Sequence, residues 1–526
     1  MRTAFCLALA GAFGIASVEA AAAGPIVSVE SGKIEGVAEG SPSISIFRGV
    51  PFAAAPTGAL RWAEPRPAAH WPGIRQASAF GPRCMQRPIY SDMAFRSPRT
   101  AEDCLYLNVW TPAKPGPSAK ARLPVLVYIY GGGLQAGDSS EKRYDGEALA
   151  RRGIVVVTVN YRLGIFGFFA HPELTAASPY HSSGNYGLLD QIAALAWVKR
   201  NIAAFGGDPD RITIGGESAG SFSVSALMAS PLSRSMLHGA IGESGAPMQK
   251  WTPRALADQE QAGTGFADSI GAPTLAALRA MPAEALLDAQ AKDSRLPIEM
   301  IVDGHALVEP PEATFAGGRA AHIPLLVGSN SQEAPGSAVF GDGAPTVAAY
   351  RSGLSRMFGD RADAVFALYP VRTDADVLPV ATMLASDRFL ALATWKWFDL
   401  QRRSGAPTYY YLFTRIRPRA LGDPPDASPP YGAVHSAEIE YALGNLDANP
   451  RYAWTGEDRR VSATMSGYFA NFIRTGDPNG RGLPAWPRAS RDATRIRRQI
   501  IDVTTRSVAF PEQSRYVAGE PLLTLH

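Results

Sequence analysis

Residues 124–130 form an almost unbroken apolar run, Pro-Val-Leu-Val-Tyr-Ile-Tyr, that stops at Gly131-Gly132-Gly133. A run without polar alternation predicts a strand buried on both faces, as in the middle of a parallel sheet. Residues 154–160 repeat the pattern, and shorter runs at 105–110, 211–215, 240–242, 323–328 and 409–413 predict further strands. The stretch 26–37 alternates around Gly32 and reads as a β-hairpin. Residues 44–50 read as a strand that runs through Arg48-Gly49-Val50-Pro51-Phe52 into a proline-punctuated loop. Helical spacing enters at 188–202, where Leu189, Ile192, Ala193, Leu195, Ala196 and Val198 share a broad apolar face. Residues 221–228 read as a helix, and the Ala-rich stretch from about 251 to 319 is helix-like and expected to pack over the sheet. Strands alternating with helices predict a doubly wound α/β fold with a large, mostly parallel sheet and function at its strands' carboxyl ends.

Composition hardly changes along the 526 residues. No linker or internal repeat divides them, so 24–526 is expected to be one domain, against the several that length alone suggests. The net charge of +3 is close to neutral for this size and gives no argument for nucleic acid. Residues 1–23 look like a secretory signal: Arg2, an apolar run over 4–16, then small residues around Val18-Glu19-Ala20. That run is too short to span a bilayer. No other stretch is expected to do so, and 519–526 carries no anchor signal. The expectation is a secreted or periplasmic protein. Cys6 leaves with the signal, and Cys84 and Cys104 remain. An oxidising compartment favours a disulfide between them, with two free thiols as the alternative. No Asn-x-Ser/Thr sequon is present.

The chemistry concentrates at Gly216-Glu217-Ser218-Ala219-Gly220, between the strand 211–215 and the helix 221–228. A G-x-S-x-G turn from strand to helix exposes a strained serine hydroxyl. The positions two before and two after it must be small because strand and helix pass closely there. The N–H of Ala219 then lies at a helix N-terminus, where developing negative charge is favoured. A similar segment, Gly242-Glu243-Ser244-Gly245-Ala246, lacks the last glycine and a clear helix behind it. Gly132 and Gly133, directly after the strand 124–130, can turn further N–H groups toward the same oxyanion. A serine nucleophile also needs a base and an acid, in the chain order Ser, acid, His. Of the later histidines, His238 and His322 precede strands, His305 lies in a turn and His526 ends the chain. His435 lies in a Gly-containing loop late enough to leave room for an acid. Glu333 stands just past the carboxyl end of the strand 323–328.

With these segments placed, the sequence resembles the type-B carboxylesterase and cholinesterase family of α/β-hydrolases over nearly the whole chain beyond residue 23. Glu102-Asp103-Cys104-Leu105-Tyr106-Leu107-Asn108-Val109-Trp110 is similar to one family signature. Phe205-Gly206-Gly207-Asp208-Pro209 through the serine pentapeptide is similar to the other. Asn330-Ser331-Gln332-Glu333 and His435-Ser436-Ala437-Glu438-Ile439-Glu440 resemble the family's acid and histidine motifs. The resemblance implies a Ser218–His435–Glu333 triad, a hole built from Gly132, Gly133 and Ala219, and support from Glu217 and Ser244. It also implies a Cys84–Cys104 disulfide beside the gorge. The activity it implies is hydrolysis of a small-molecule carboxylic ester through an acyl-enzyme, without metal or cofactor. The same machinery could cut an amide, carbamate or lactone, and some relatives are adhesion proteins that lost the serine. Two features depart from the family. Ala334-Pro335 follows the acid where glycine is usual, and no Trp lies between Cys84 and Cys104, which argues against a choline esterase. Arg87, Arg96 and Arg99 in that loop could greet an acidic ester, although Asp92, Glu102 and Asp103 accompany them.

Overall fold

The apolar runs become the centre of a 10-stranded sheet. The computed structural model describes residues 24–38, 43–116, 121–424, 430–510 and 513–524; the signal-like segment 1–23 and His526 lie outside them. In chain order the sheet strands are β1 (Ser45–Pro51), β2 (Tyr106–Thr111), β3 (Leu123–Ile129), β4 (Val155–Val159) and β5 (Gly207–Glu217). They continue as β6 (Gly239–Glu243), β7 (Leu325–Asn330), β8 (Thr408–Phe413), β9 (Arg497–Ile501) and β10 (Arg506–Ala509). Across the sheet the order is β10-β9-β8-β7-β6-β5-β3-β4-β2-β1. Strands β9 through β4 in that order run parallel. Strand β10 at one edge, and β2 and β1 at the other, are antiparallel to their neighbours.

Every residue of β4, β6 and β7 is buried, which is why these strands read as continuous apolar or small-residue runs. The hairpin Ile26–Val29 with Gly32–Glu35 does not join this sheet. It pairs with Ile74–Gln76 in a small sheet of its own. Helix α1 (Tyr186–Asn201) leads into β5, and α2 (Ala219–Ala229) leaves it. The stretch read as helix-like does hold helices Leu256–Ser269, Leu275–Ala280 and Ala283–Lys292. It also holds two short strands, Arg254–Ala255 and Ile301–Val302, that pair with each other.

Residues 374–404 form a continuous helical rod, long and apolar enough to cross a bilayer by length and composition. The rod is mostly buried: Val377, Ala381, Leu384, Trp395, Trp397 and Phe398 are core residues. Packing against β7 and β8 explains its apolarity. A single π turn, Asp387–Ala391, interrupts it. Such turns bulge the backbone and re-aim side chains; here Phe389 and Leu390 are aimed at the cavity described below.

Cys84 and Cys104 are joined, with Cα atoms 4.9 Å apart and a sequence separation of 20. The closed loop sends Tyr90, Asp92 and Met93 to the same cavity. Replacing both cysteines by serine is expected to lower the unfolding free energy by about 3 kcal/mol, chiefly by freeing the unfolded chain. Equilibrium denaturation with parallel activity readings checks this; an unmoved midpoint would mean that packing alone holds the loop.

Candidate active site

Ser218 sits where β5 turns into α2, with φ 56° and ψ −123°. A non-glycine residue rarely holds that conformation, and the surroundings fix it. Its N–H donates to the Glu243 carbonyl on β6 (2.8 Å). A Cβ on Gly216 would lie 2.6 Å from the Ile129 carbonyl oxygen, and one on Gly220 only 2.1 Å from it. The end of β3 therefore runs against both sides of the elbow, and only glycine fits there. Gly131 continues this contact, since its added Cβ would meet Glu217 and the Ser218 Cβ. Gly132 and Gly133 follow with φ of +104° and +62°. Both line the cavity together with Ser218 and Ala219.

The Ser218 Oγ lies 3.0 Å from His435 Nε2, and His435 Nδ1 lies 2.7 Å from Glu333 Oε2. The other Glu333 oxygen accepts the Asn330 N–H at 2.6 Å. Two loops bring these groups together, one after β7 and one after β8. Those strands are neighbours in register, Asn330 opposite Phe413. Beyond the strand ends the loops stay stitched. The Gln332 N–H donates to the Ala433 carbonyl (2.8 Å), and the Ala433 N–H donates to Ser331 Oγ (2.9 Å). Asn330 Nδ2 donates to the Val434 carbonyl (2.8 Å). Ala334-Pro335 leaves this seam intact and begins the turn into Ser337–Phe340.

Beneath the imidazole lies a set of buried carboxyl groups. Glu217 Oε1 is 3.2 Å from His435 Nε2. Ser244, itself at φ 57°, donates from Oγ to Glu438 Oε1 (3.3 Å). Tyr128 donates to Glu243 Oε1 (3.1 Å). Burial pushes the Glu217 carboxyl up to about 8, and burial with the Glu333 charge pushes Glu438 up to about 7. Glu243 is raised well above the carboxylate range by burial and then by Glu438 and Glu217. Burial opposes charge on His435, yet Glu217, Glu333 and Glu438 outweigh it and raise the imidazolium to about 10. Glu217 and His435 thus compete for one proton across 3.2 Å, since the push on His435 exists only while Glu217 is ionised.

The cavity over Ser218 holds about 610 Å³, within the ~300–1,000 Å³ usual for a small-molecule site. Tyr90, Phe222, Trp251 and Phe389 give it aromatic walls. Phe389 stands edge-on to His435 with centroids 5.7 Å apart. Arg143 and Arg417 reach the wall already paired, Arg143 with Glu141 (2.6 Å) and Asp92 (3.0 Å), Arg417 with Glu440 (2.5 Å).

The other candidates fall elsewhere. The Ser244 segment repeats the positive φ but is followed by no helix, and its hydroxyl serves Glu438. His238 accepts from the Ile212 N–H (3.3 Å), His305 stacks on Tyr180 (3.9 Å), and His322 meets the Ser404 carbonyl (3.3 Å). The three loop arginines are spent away from the cavity. Arg87 pairs with Asp288 and Glu284, Arg96 with Asp145 (2.7 Å), and Arg99 donates to the Thr100 carbonyl (3.4 Å). Sequence reasoning missed Glu243, the structural part of Glu438, and the walls Trp251 and Phe389. Glu243 and Glu438 stood inside quoted motifs. Nothing local marked Phe389, which depends on the π turn.

A serine on a strand–elbow–helix turn of a mostly parallel sheet, with a carboxylate and a histidine past later strand ends, defines an α/β-hydrolase. The carboxylesterase family model matches residues 23–515, and the chain belongs to that family. It is 38% identical over 488 residues to the fumonisin B1 esterase of Sphingopyxis macrogoltabida, covering 88% of this chain and 84% of that protein. It is 34% identical over 520 residues to liver carboxylesterase 1 of Oryctolagus cuniculus, covering 88% and 87%. The Geobacillus stearothermophilus carboxylesterase structure aligns with a TM-score of 0.79 at 30% identity, covering 94% of this chain and 99% of that one. A PNB esterase structure aligns at 0.78 and 31%, with the same coverage. The protein is a serine-dependent carboxylic ester hydrolase.

Replacing Glu217 by Gln removes the anion nearest the imidazolium and is expected to lower the His435 pKa. Histidine side-chain NMR over a pH series reads this directly. An unchanged or higher value would show that Glu217 stays neutral throughout.

Proposed function

We propose that Ser218, His435 and Glu333 carry the ester hydrolysis in the following roles. Ser218 Oγ attacks the acyl carbon while His435 Nε2 takes its proton. The Glu333 carboxylate holds the Nδ1–H tautomer and stabilises the imidazolium. The carbonyl oxygen becomes an oxyanion held by the N–H groups of Gly132, Gly133 and Ala219. His435 returns the proton to the departing alkoxide, which leaves an acyl-Ser218 ester. Water, deprotonated by the same imidazole, then releases the acid and restores the serine. The observation that carries this reading is the unbroken chain Ser218 Oγ–His435–Glu333, with steps of 3.0 and 2.7 Å.

Glu217 and Ser244 act from behind in this reading. Glu217 supplies or accepts the proton that His435 shares, and Ser244 orients Glu438 under the loop. A neutral imidazole is the working base, so activity rises with pH as His435 loses its proton. The relatives named for fumonisin B1 and for liver carboxylesterase share the family but differ in what their names specify. The bond type carries over more readily than the substrate. We place the active unit in 24–526, supported by a core that runs from Val27 to Leu523. Export, as the segment 1–23 suggests, is supported by the Cys84–Cys104 disulfide.

Hydrolysis of p-nitrophenyl esters from acetate to decanoate tests the reading. Wild type is expected to turn over, with Ser218→Ala reduced at least about 10³-fold. A fluorophosphonate should label wild type and spare the variant. Retention of turnover by Ser218→Ala would remove Ser218 from the mechanism.

A further inference from the structure

Two cations stand behind lining residues of the Ser218 cavity, Lys250 against Trp251 and Phe389 and Arg388 next to Phe389 in the chain, and have no carboxylate partner among the described residues, in contrast to Arg143 and Arg417. Lys250 lies on the short turn Gln249–Trp251. Its Nζ is 4.4 Å from the Trp251 ring centroid and 5.6 Å from that of Phe389. Both rings line the cavity, and Phe389 is the ring that abuts His435. Trp251 Nε1 donates to the Phe389 carbonyl (2.6 Å), which locks the turn to the π turn and fixes the cage. Arg388, one residue before Phe389, lies close enough to repel Lys250, and its own guanidinium rests 5.7 Å over the Phe358 ring. Burial and then Arg388 push the Lys250 ammonium down to about 8.

Aromatic faces attract a cation without neutralising it. A half-buried ammonium held by rings next to a guanidinium therefore keeps its field, and a bound anion would relieve the repulsion between the two. The neighbouring Asp387 does not serve this purpose: it faces inward, to Tyr369, Tyr516 and Arg515. The paired arginines of the cavity show the alternative arrangement, in which each charge is cancelled inside the protein.

We propose that Lys250 and Arg388 form a carboxylate subsite beside the cavity, so that the preferred esters carry a free carboxylate on their acyl or alcohol part. This rests on Ser218 as nucleophile. Phe389 separates Lys250 from His435, so the carboxylate stands several methylenes from the scissile bond. It takes no part in the chemistry; it sets which ester is held.

The test compares acid and amide versions of two esters. One pair is the mono-p-nitrophenyl ester of adipic acid and its terminal amide; the other is acetoxyhexanoate and acetoxyhexanamide. Wild type is expected to favour the acid in one pair, which tells whether the acyl or the alcohol part reaches the subsite. Lys250→Met and Arg388→Met should each lower the acid-to-amide ratio of kcat/KM about tenfold. Lys250→Arg should retain the ratio, and Lys250→Glu should invert it. Ratios unmoved in both pairs would overturn the subsite, as would equal losses on acid and amide, which would make Lys250 a structural prop. A folded wild type that hydrolyses none of the four esters would instead defeat the Ser218 reading itself.

Discussion

The structure depends on the close approach of β3, β5 and α2 around Ser218. Holding a serine at φ 56° stores of the order of 1–3 kcal/mol of backbone strain. That strain persists because the alternatives are blocked. The Ile129 carbonyl presses on Gly216 and Gly220 from one side, and the Glu243 carbonyl ties the Ser218 N–H from the other. A hydroxyl on a relaxed loop would sample many directions. Here three strands leave it one, toward His435. The same compression puts Gly131 against the elbow, so the loop carrying Gly132 and Gly133 follows directly from the contact that strains the serine.

The carboxylate and the imidazole beside Ser218 are held by a second, different device. Glu333 and His435 lie 102 residues apart in sequence and on separate loops. Parallel pairing of β7 with β8 sets their register, and the hydrogen bonds of Gln332, Ser331 and Asn330 extend that pairing past the strand ends. Asn330 then meets both Glu333 and Glu438, so one side chain and one backbone N–H tie acid, loop and buried carboxyl cluster together. A buried cluster of this kind is costly if ionised. Burial answers by raising Glu217, Glu243 and Glu438, which opposes ionisation of the whole cluster at once.

What the sequence made legible follows from how local each constraint is. The elbow is local: two glycines, one serine, a strand and a helix within about a dozen residues, and it could be read from spacing. The apolar strands β3, β4 and β7 were legible because both faces are covered, so no polar alternation hides them. His435 and Glu333 were harder. Their partnership is made by sheet register, and only resemblance to a family joined them. Strands β9 and β10 gave no signal because they carry exposed arginines near the sheet edge, Arg497 and Arg506 among them. The rod 374–404 was not read at all: its apolar residues cover β7 and β8, a role set by tertiary packing and not by any local motif. The loop arginines had two readings, solvated charges or a site for an acidic ester, and their partners Asp288, Glu284 and Asp145 lie too far along the chain for spacing to reveal.

Charge compensation then separates the parts of the cavity that serve the fold from those that face a ligand. Arg143 and Arg417 are among its most buried cations, and each is cancelled by a carboxylate that the fold brings to it. Removing either partner would leave an unpaired buried charge, so these pairs act as ties between loops. Lys250 and Arg388 are held by ring faces, which position a cation yet leave its charge outward-acting. The π turn carries Arg388 and Phe389, and the turn Gln249–Trp251 carries Lys250. Phe389, inside that turn, stands edge-on to His435, and Arg388 immediately precedes it. A local irregularity in a buried helix thus contributes an aromatic wall beside His435 and one of the two ring-held cations.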